Sequence, residues 1–435
     1  MTTNLQPGEE AYRLIERLYP ICRSITGNGL RETLAILGES VPLEVTEVPS
    51  GTHVLDWVIP DEWNVRDAYV ADESGRRVID FGRSNLHLVN YSEPLRRRMM
   101  LEELRPHLHA LPDRPDSVPY RTSYYERSWG FCLSQRQRDA LGPGPYDVVI
   151  DSTLEPGALT YGEVLVRGQT QDEILIVTHT CHPSLCDDNL SGIAVATLLA
   201  RDLLVDDSPM RHSVRFLFAP GTIGAIAWLA RNTESLERIR AGLTLTCLGD
   251  HHPFTFKRTL AGDTLVDRAV AHVLETTDHA HEIIDYYPYG YDERQFNSPG
   301  FRLPVGSLMR ARHGCFPEYH TSDDDLEFVT AARLSESFGL LARVIGVIDR
   351  GGRRMRNTSP YGEPQLGTRG LYRALGGTAI PDAQMVMLWL LTLCDGEHSL
   401  LDVAIRAGID FDAVAATAAV LVDHGLLIDD GSAAD

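Results

Sequence analysis

Residues Thr178–Gly192 read THTCHPSLCDDNLSG. An apolar run, EILIV at 173–177, leads into this stretch, and SGIAVATLLARDLL leaves it. The first has the make-up of a buried strand and the second that of a buried helix. A polar turn between them lies beyond the carboxyl end of a strand, where open α/β sheets bind ligands. His179, His182, Asp187 and Asp188 stand there within ten positions. Imidazole and carboxylate together suit a divalent transition metal, zinc above all. Each residue also has a plainer use, since Asp187 and Asn189 can cap a helix. Cys181 and Cys186 leave two further readings open: a small structural zinc site, or a cysteine nucleophile with a histidine base.

Outward from this turn, strands and helices alternate. YDVVIDS, YGEVLVRG, VRFLFAP, LTLTCLG and LPVGSLM read as strands, and GAIAWLAR, DTLVDRAVAHVLETT and LSESFGLLARVIGVID as helices. Alternation predicts a sheet covered by helices on both faces. Upstream, Glu9–Tyr19 and Arg31–Leu37 have helical spacing, while short alternating runs from Val41 to about Tyr91 predict a small β-rich module. Leu95–Leu111, with Arg96, Arg97 and Arg98, reads as a helix. A Pro-rich stretch, Asp113–Pro119, precedes an aromatic segment, YRTSYYERSWGFCLS. The expected organisation is a core from 1–42 and 120–350, an inserted β-rich module at 43–119, a linker at 351–375 and a winged-helix-like domain at 376–435.

The chain has 435 residues and a formal charge of −21. That charge disfavours nucleic acid and anionic membrane surfaces as partners. The C-terminal domain has the helix order of a winged helix, yet from Gly376 to Asp435 one basic residue, Arg406, faces ten acids. Phosphates would be repelled, so an interaction or dimerisation role is expected, with a homo-oligomer formed through this domain or the β-module. No secretory signal and no membrane span is apparent. Seven scattered cysteines fit a reducing compartment. The expectation is a cytoplasmic protein. Lys257 is its one lysine, so a Schiff-base mechanism has a single candidate.

Three more segments carry candidate chemistry. LTLTCLGDHHPF places Asp250, His251 and His252 after a strand. PEYHTSDDDLEFV contains Glu318, His320 and an acid run; Asp324 and Asp325 are read as the charge cap of a following helix. YPYGYDERQFNSPG sets Asp292, Glu293, Arg294 and Gln295 in an aromatic, turn-rich loop, the kind of segment that carries function.

These residues carry a resemblance. The core resembles the di-zinc aminopeptidases of the bacterial leucyl-aminopeptidase type. A nearer likeness covers nearly the whole chain, to uncharacterised aminopeptidase-like proteins with an inserted β-module and a winged-helix tail. The shared motifs are DWVIPDEW, SNLHLVNYS, TSYYERSWGFC, THTCHPSLCDDNLSG, DERQFNSPG, PEYHTSDD and GEPQLGTRGLY. The resemblance implies an α/β fold, a zinc-aminopeptidase-like mixed sheet flanked by helices, and a role in polysaccharide or natural-product biosynthesis. It implies that His179 is the first ligand, Asp188 the bridging carboxylate and His320 the last ligand. The family's Glu-Thr-Ile-Gly is here Gly221-Thr222-Ile223-Gly224, so the general-base position holds Gly221. The second glutamate of the aminopeptidase pair corresponds to Thr222, and Asp250 is displaced from the expected aspartate.

The leading expectation is a metal-dependent amide-bond hydrolase with a small-molecule or peptide-like substrate. One zinc would be held by His179 or His182, Asp188 and His320, with Asp250 a further candidate and a second zinc left open. Glu293 or Glu318 would replace the missing base. Arg294 would hold a substrate carboxylate or an oxyanion. The alternative is a non-hydrolytic descendant that binds, scaffolds or transfers acyl groups, favoured by Gly221.

Overall fold

The structure is a computed structural model and describes residues 6–206, 210–371 and 382–429. Eight strands form its largest sheet. They are β1 (Glu44–Pro49), β2 (Ala158–Val166), β3 (Glu173–His179), β4 (Ser213–Ala219), β5 (Ile239–Leu245), β6 (Phe254–Lys257), β7 (His281–Ile284) and β8 (Val305–Met309). Their order is β1-β2-β4-β3-β5-β8-β6-β7. β3 runs parallel to β4 and β5, and β5 parallel to β8. The carboxyl ends of these four central strands therefore share one rim. β2 and β6 join antiparallel, so the sheet is mixed.

Every residue of β3 is buried. That suits its unbroken apolar run, because a strand covered on both faces does not alternate. α3 (Gly192–Val205) leaves the turn that follows β3 and is buried over its first nine residues, Gly192–Ala200. α1 (Pro7–Leu18) turns Ala11, Ile15 and Leu18 inward, at helical spacing. α2 (Asn28–Leu37), α4 (Ile223–Arg231), α5 (Leu265–Glu275) and α6 (Ala331–Gly351) complete the flanking layers.

A second sheet has four strands in the order Arg77–Asp80, Glu62–Ala71, Tyr146–Glu155, Leu95–Met99, all antiparallel. Its make-up departs from the sequence expectation at three places. Leu95–Met99 is an edge strand, not the start of a helix, and its three arginines are exposed. Arginines on an edge discourage pairing with another chain. Tyr146–Glu155 belongs to this sheet and not to the core sheet. Conversely β1, inside the expected module, pairs with β2 of the core.

The C-terminal domain comprises α7 (Asp382–Leu393), α8 (Leu400–Ala407) and α9 (Phe411–Asp423) with a three-stranded sheet, Asp395–Ser399, Arg354–Asn357 and Leu427–Asp429. Arg354–Asn357, expected in the linker, is the middle strand. Residues 372–381 of the expected linker and domain start lie outside the described residues. Among the described residues no helix is long and apolar enough to cross a membrane.

Candidate metal centre

His179 closes β3, and the turn that follows brings Asp188 back against it. His179 Nε2 lies 2.8 Å from Asp188 Oδ1. His182 Nε2 and His320 Nε2 approach the other oxygen, Asp188 Oδ2, at 3.9 and 3.0 Å. Asp188 is completely buried. Asp188 Oδ2 and His320 Nε2 are both buried without a hydrogen-bond partner among the described residues. Polar atoms left that way cost about 1–3 kcal/mol each unless something occupies the space between them. Nitrogen and oxygen donors at these separations fit one divalent cation of the tetrahedral kind. His179, His182 and Asp188 also group within 4.8 Å by their ligating atoms. Four of the five metal candidates read from sequence thus converge.

The surrounding charges tune this group. Burial works to raise the Asp188 carboxyl, but His182, His179 and the His179 hydrogen bond hold it well below the usual range. Burial lowers His182 well below its ordinary value, with Asp188 opposing it. His320 sits at φ 54, in the left-handed region. A histidine pays for that conformation with strain, which accumulates where side-chain placement is over-determined.

A layer of supports holds the turn. Asp324 accepts hydrogen bonds from the Asp187 and Asp188 N–H groups at 2.6 and 2.9 Å. It is fully buried, and burial pushes its carboxyl up to about 8. The charge-cap expectation for Asp324 is therefore corrected: the residue ties the turn after β3 from within. Buried Arg23 donates to the His182 carbonyl at 2.8 Å. Tyr120 wedges its ring against His182 and His320, with centroids 5.0 and 5.1 Å apart, and its N–H donates to the His320 carbonyl at 2.7 Å.

Asp250, the fifth metal candidate, is placed behind the turn. It accepts from the His252 N–H and lies 2.7 Å from His252 Nδ1. With His251 and His252 it forms a separate cluster on the rim. The Asp187 carboxyl is raised by burial and by Asp250 beside it.

Among the described residues the groups of ligating atoms do not include Glu293 or Glu318. Glu293 is buried in an ion pair with Lys257 and accepts from the Tyr291 N–H at 3.0 Å. The same pair occupies the one lysine that a Schiff base could use. Arg294 is exposed. Glu318 is half-buried, and its carbonyl accepts from the Thr321 N–H and hydroxyl. The cysteine readings also weaken. Burial pushes the Cys181 thiol up to about 12 and raises Cys186 as well, so neither is a ready thiolate.

Two residues just before Glu293 pack against Gly221 and Thr222. A Cβ on Gly221 would lie 2.0 Å from the Tyr291 hydroxyl. The Tyr291 ring packs on His179 with centroids 4.0 Å apart, and its hydroxyl lies 3.4 Å from Cys181 Sγ. Asp292 accepts the Thr222 N–H at 2.6 Å and is 2% exposed. Burial pushes its carboxyl up to about 7. Sequence singled out this loop by its charged residues among aromatics, but chose the neighbouring Glu293.

The fold and this constellation define an aminopeptidase-like α/β protein with a C-terminal winged helix. The chain belongs to the family described as a domain of unknown function, DUF4910, matched over residues 12–351; residues 353–429 match a winged helix-turn-helix family. It is 49% identical, over 93% of both chains, to a Clostridium acetobutylicum protein named "Putative polysaccharide biosynthesis protein with aminopeptidase-like domain". A crystal structure of a "putative peptidase" from that organism has 46% identity and a TM-score of 0.92, covering 97% of this chain and 96% of the other. The zinc aminopeptidase of Bacillus subtilis shares the fold at 14% identity and a TM-score of 0.55, covering 78% of this chain and 94% of its own.

Proposed function

We propose that this protein is a metal-dependent amide-bond hydrolase of peptidase-like chemistry, acting on a small or peptide-like substrate in a polysaccharide or natural-product biosynthetic pathway. The observation that carries this reading is the convergence of His179, His182 and His320 on the buried Asp188 carboxylate, with His320 Nε2 3.0 Å from Asp188 Oδ2. His182, Asp188 and His320 would hold one Zn²⁺, with His179 orienting Asp188 or joining the set. A cation held there supplies Lewis acidity at a carbonyl.

The chain's own part is to position and to move protons. Asp292 takes the general-base role in place of the family glutamate. Its carboxylate is anchored on the backbone of Thr222, beside the position that lost the side chain, and its value near 7 suits proton transfer at neutral pH. The pathway assignment is supported by the name of the relative 49% identical to this chain.

Metal analysis and an amide-substrate panel test the proposal. Wild type should carry stoichiometric zinc and lose it in His320→Ala. Asp292→Asn should keep the metal while kcat falls about 10²–10⁴-fold. A wild type without bound metal, or an Asp292→Asn variant with unchanged kcat, overturns it.

One observation favours a second reading, a binding or scaffold protein without hydrolysis: the Tyr291 ring fills the space a side chain at 221 would need. In that case zinc-loaded wild type is inert across the panel. The double substitution Gly221→Glu with Tyr291→Ala then gains activity, whereas Gly221→Glu alone has no room for its carboxylate.

A further inference from the structure

Lys257 is the one lysine among 40 basic residues. It closes β6 and is 1% exposed, and its partner Glu293 is as deeply buried. An ammonium has three N–H donors, and here three acceptors meet them. One is the Glu293 carboxylate. The others are the carbonyls of Tyr287 at 3.1 Å and Tyr289 at 2.9 Å. The Tyr287 ring also lies over the charge, 4.5 Å from Nζ. A guanidinium is a flat fork and does not direct bonds tetrahedrally from a single atom. A lysine therefore serves here where the chain's usual cation would not.

The loop 286–292 is drawn onto this pair. Gly290 passes so close that a Cβ there would lie 2.0 Å from Glu293 Oε1 and 2.5 Å from Lys257 Nζ. Both Glu293 oxygens accept the Tyr291 N–H, at 3.2 and 3.0 Å. One buried ion pair thus ties the backbone at 287, 289 and 291. The side chains that follow point to the metal centre and to the turn after β4. The Tyr291 ring packs on His179, with centroids 4.0 Å apart, and the Asp292 carboxylate takes the Thr222 N–H at 2.6 Å. Two apolar side chains often stabilise a fold as well as a buried ion pair does, because both charges must leave water. The pair's distinctive contribution is the path it imposes on the loop.

We propose that Lys257 is a positioning residue of the metal centre: with Glu293 it holds the Tyr291 ring on His179 and the Asp292 carboxylate on Thr222. The part that concerns Asp292 rests on the hydrolase reading above; the part that concerns Tyr291 does not.

The test follows two signals in the full chain: alkylation of Cys181 in the metal-free protein, by peptide mass, and the visible spectrum of the Co²⁺-loaded protein. Cys181 is buried, with its Sγ 3.4 Å from the Tyr291 hydroxyl, so it reports whether that ring stays in place. Lys257→Met removes the donors, and Gly290→Ala drives a methyl into the pair. Each should speed Cys181 labelling about 10-fold by local opening, shift the cobalt bands and weaken zinc about 10-fold. Lys257→Arg should not restore the wild-type signals. Tyr291→Ala should have the same effects, and adding Lys257→Met to it should change little more, because both act through one ring. Asp349→Asn, which loosens the hold on His212 at the amino end of β4, should lower the unfolding midpoint yet leave labelling and bands as in wild type. That contrast separates positioning from a general loss of stability. Labelling and bands unmoved by Gly290→Ala, or losses that add in full between Lys257→Met and Tyr291→Ala, overturn the proposal. Where Lys257→Met does not fold, Gly290→Ala decides. A wild type that takes up no metal or cleaves no amide removes the hydrolase reading, and the labelling rates still decide whether Lys257 holds Tyr291.

Discussion

At the scale of single residues, Asp324 shows how much of the centre depends on a carboxylate that never touches a ligand position. Its two oxygens accept the N–H groups of Asp187 and Asp188, which fixes where Asp188 points. Replacing it with asparagine keeps the volume but offers one acceptor where two are needed. Asp324→Asn should cost about 1–3 kcal/mol in chemical denaturation and weaken zinc about 10–100-fold, as loss of a partner behind a ligand does. A zinc titration with a fluorescent competitor checks the second figure; unchanged affinity would mean the turn holds itself. Asp188 was singled out in sequence because two histidines and two aspartates fall within ten positions at a strand end, and His320 because an imidazole between Tyr319 and Thr321 is hard to explain blandly. Asp324 was not, since an acid run shortly before a helix looks like a charge cap. Asp292 was hidden for a related reason: side by side with Glu293, nothing in the sequence says which of the two meets Lys257.

At the scale of elements, the turn between β4 and α4 and the loop before Glu293–Phe296 have adapted to each other. Gly221 has no side chain, and Tyr291 sits where one would be. Gly221→Ala puts a methyl 2.0 Å from the Tyr291 hydroxyl, too close for any real contact. Overpacking of this kind costs about 1–3 kcal/mol. Thermal unfolding should show Gly221→Ala destabilised, with much of the loss recovered when Tyr291→Ala is added; additive losses would mean that the two do not share the space. Sequence located the glycine but not its partner, because the two lie seventy residues apart in number and meet only through the fold. The β3–turn–α3 unit was legible from its apolar run and its small residues. Leu95–Met99 was not: three exposed arginines suit a helix face and a sheet edge equally well, and only pairing with Tyr146–Glu155 decides.

At the scale of the whole molecule, the β-module and the core exchange strands. β1 crosses to the core sheet, and Tyr146–Glu155 crosses back. Sequence periodicity marks where strands are, but not which sheet they join. The exchange needs a fastening where the units meet, and Glu62 provides one. From the module sheet it takes both a bidentate bond from Arg31 of α2, at 2.6 and 2.7 Å, and the Ala158 N–H of β2 at 3.1 Å. The Arg31 hydrogen bond is the largest influence on this carboxyl and, with burial opposing it, holds Glu62 down to about 2. An unfolded glutamate titrates near 4.3. Because the folded value is the lower one, the stabilisation is complete above about pH 4.3 and is lost as pH falls towards 2. Glu62→Gln should therefore cost about 1–2 kcal/mol at pH 7, after allowance for partial solvent screening. The gap in unfolding midpoint between wild type and variant should hold steady from pH 7 to 5 and narrow between pH 4.5 and 3. A gap that stayed constant through that range would show that the amide is penalised for its shape and not for its missing charge.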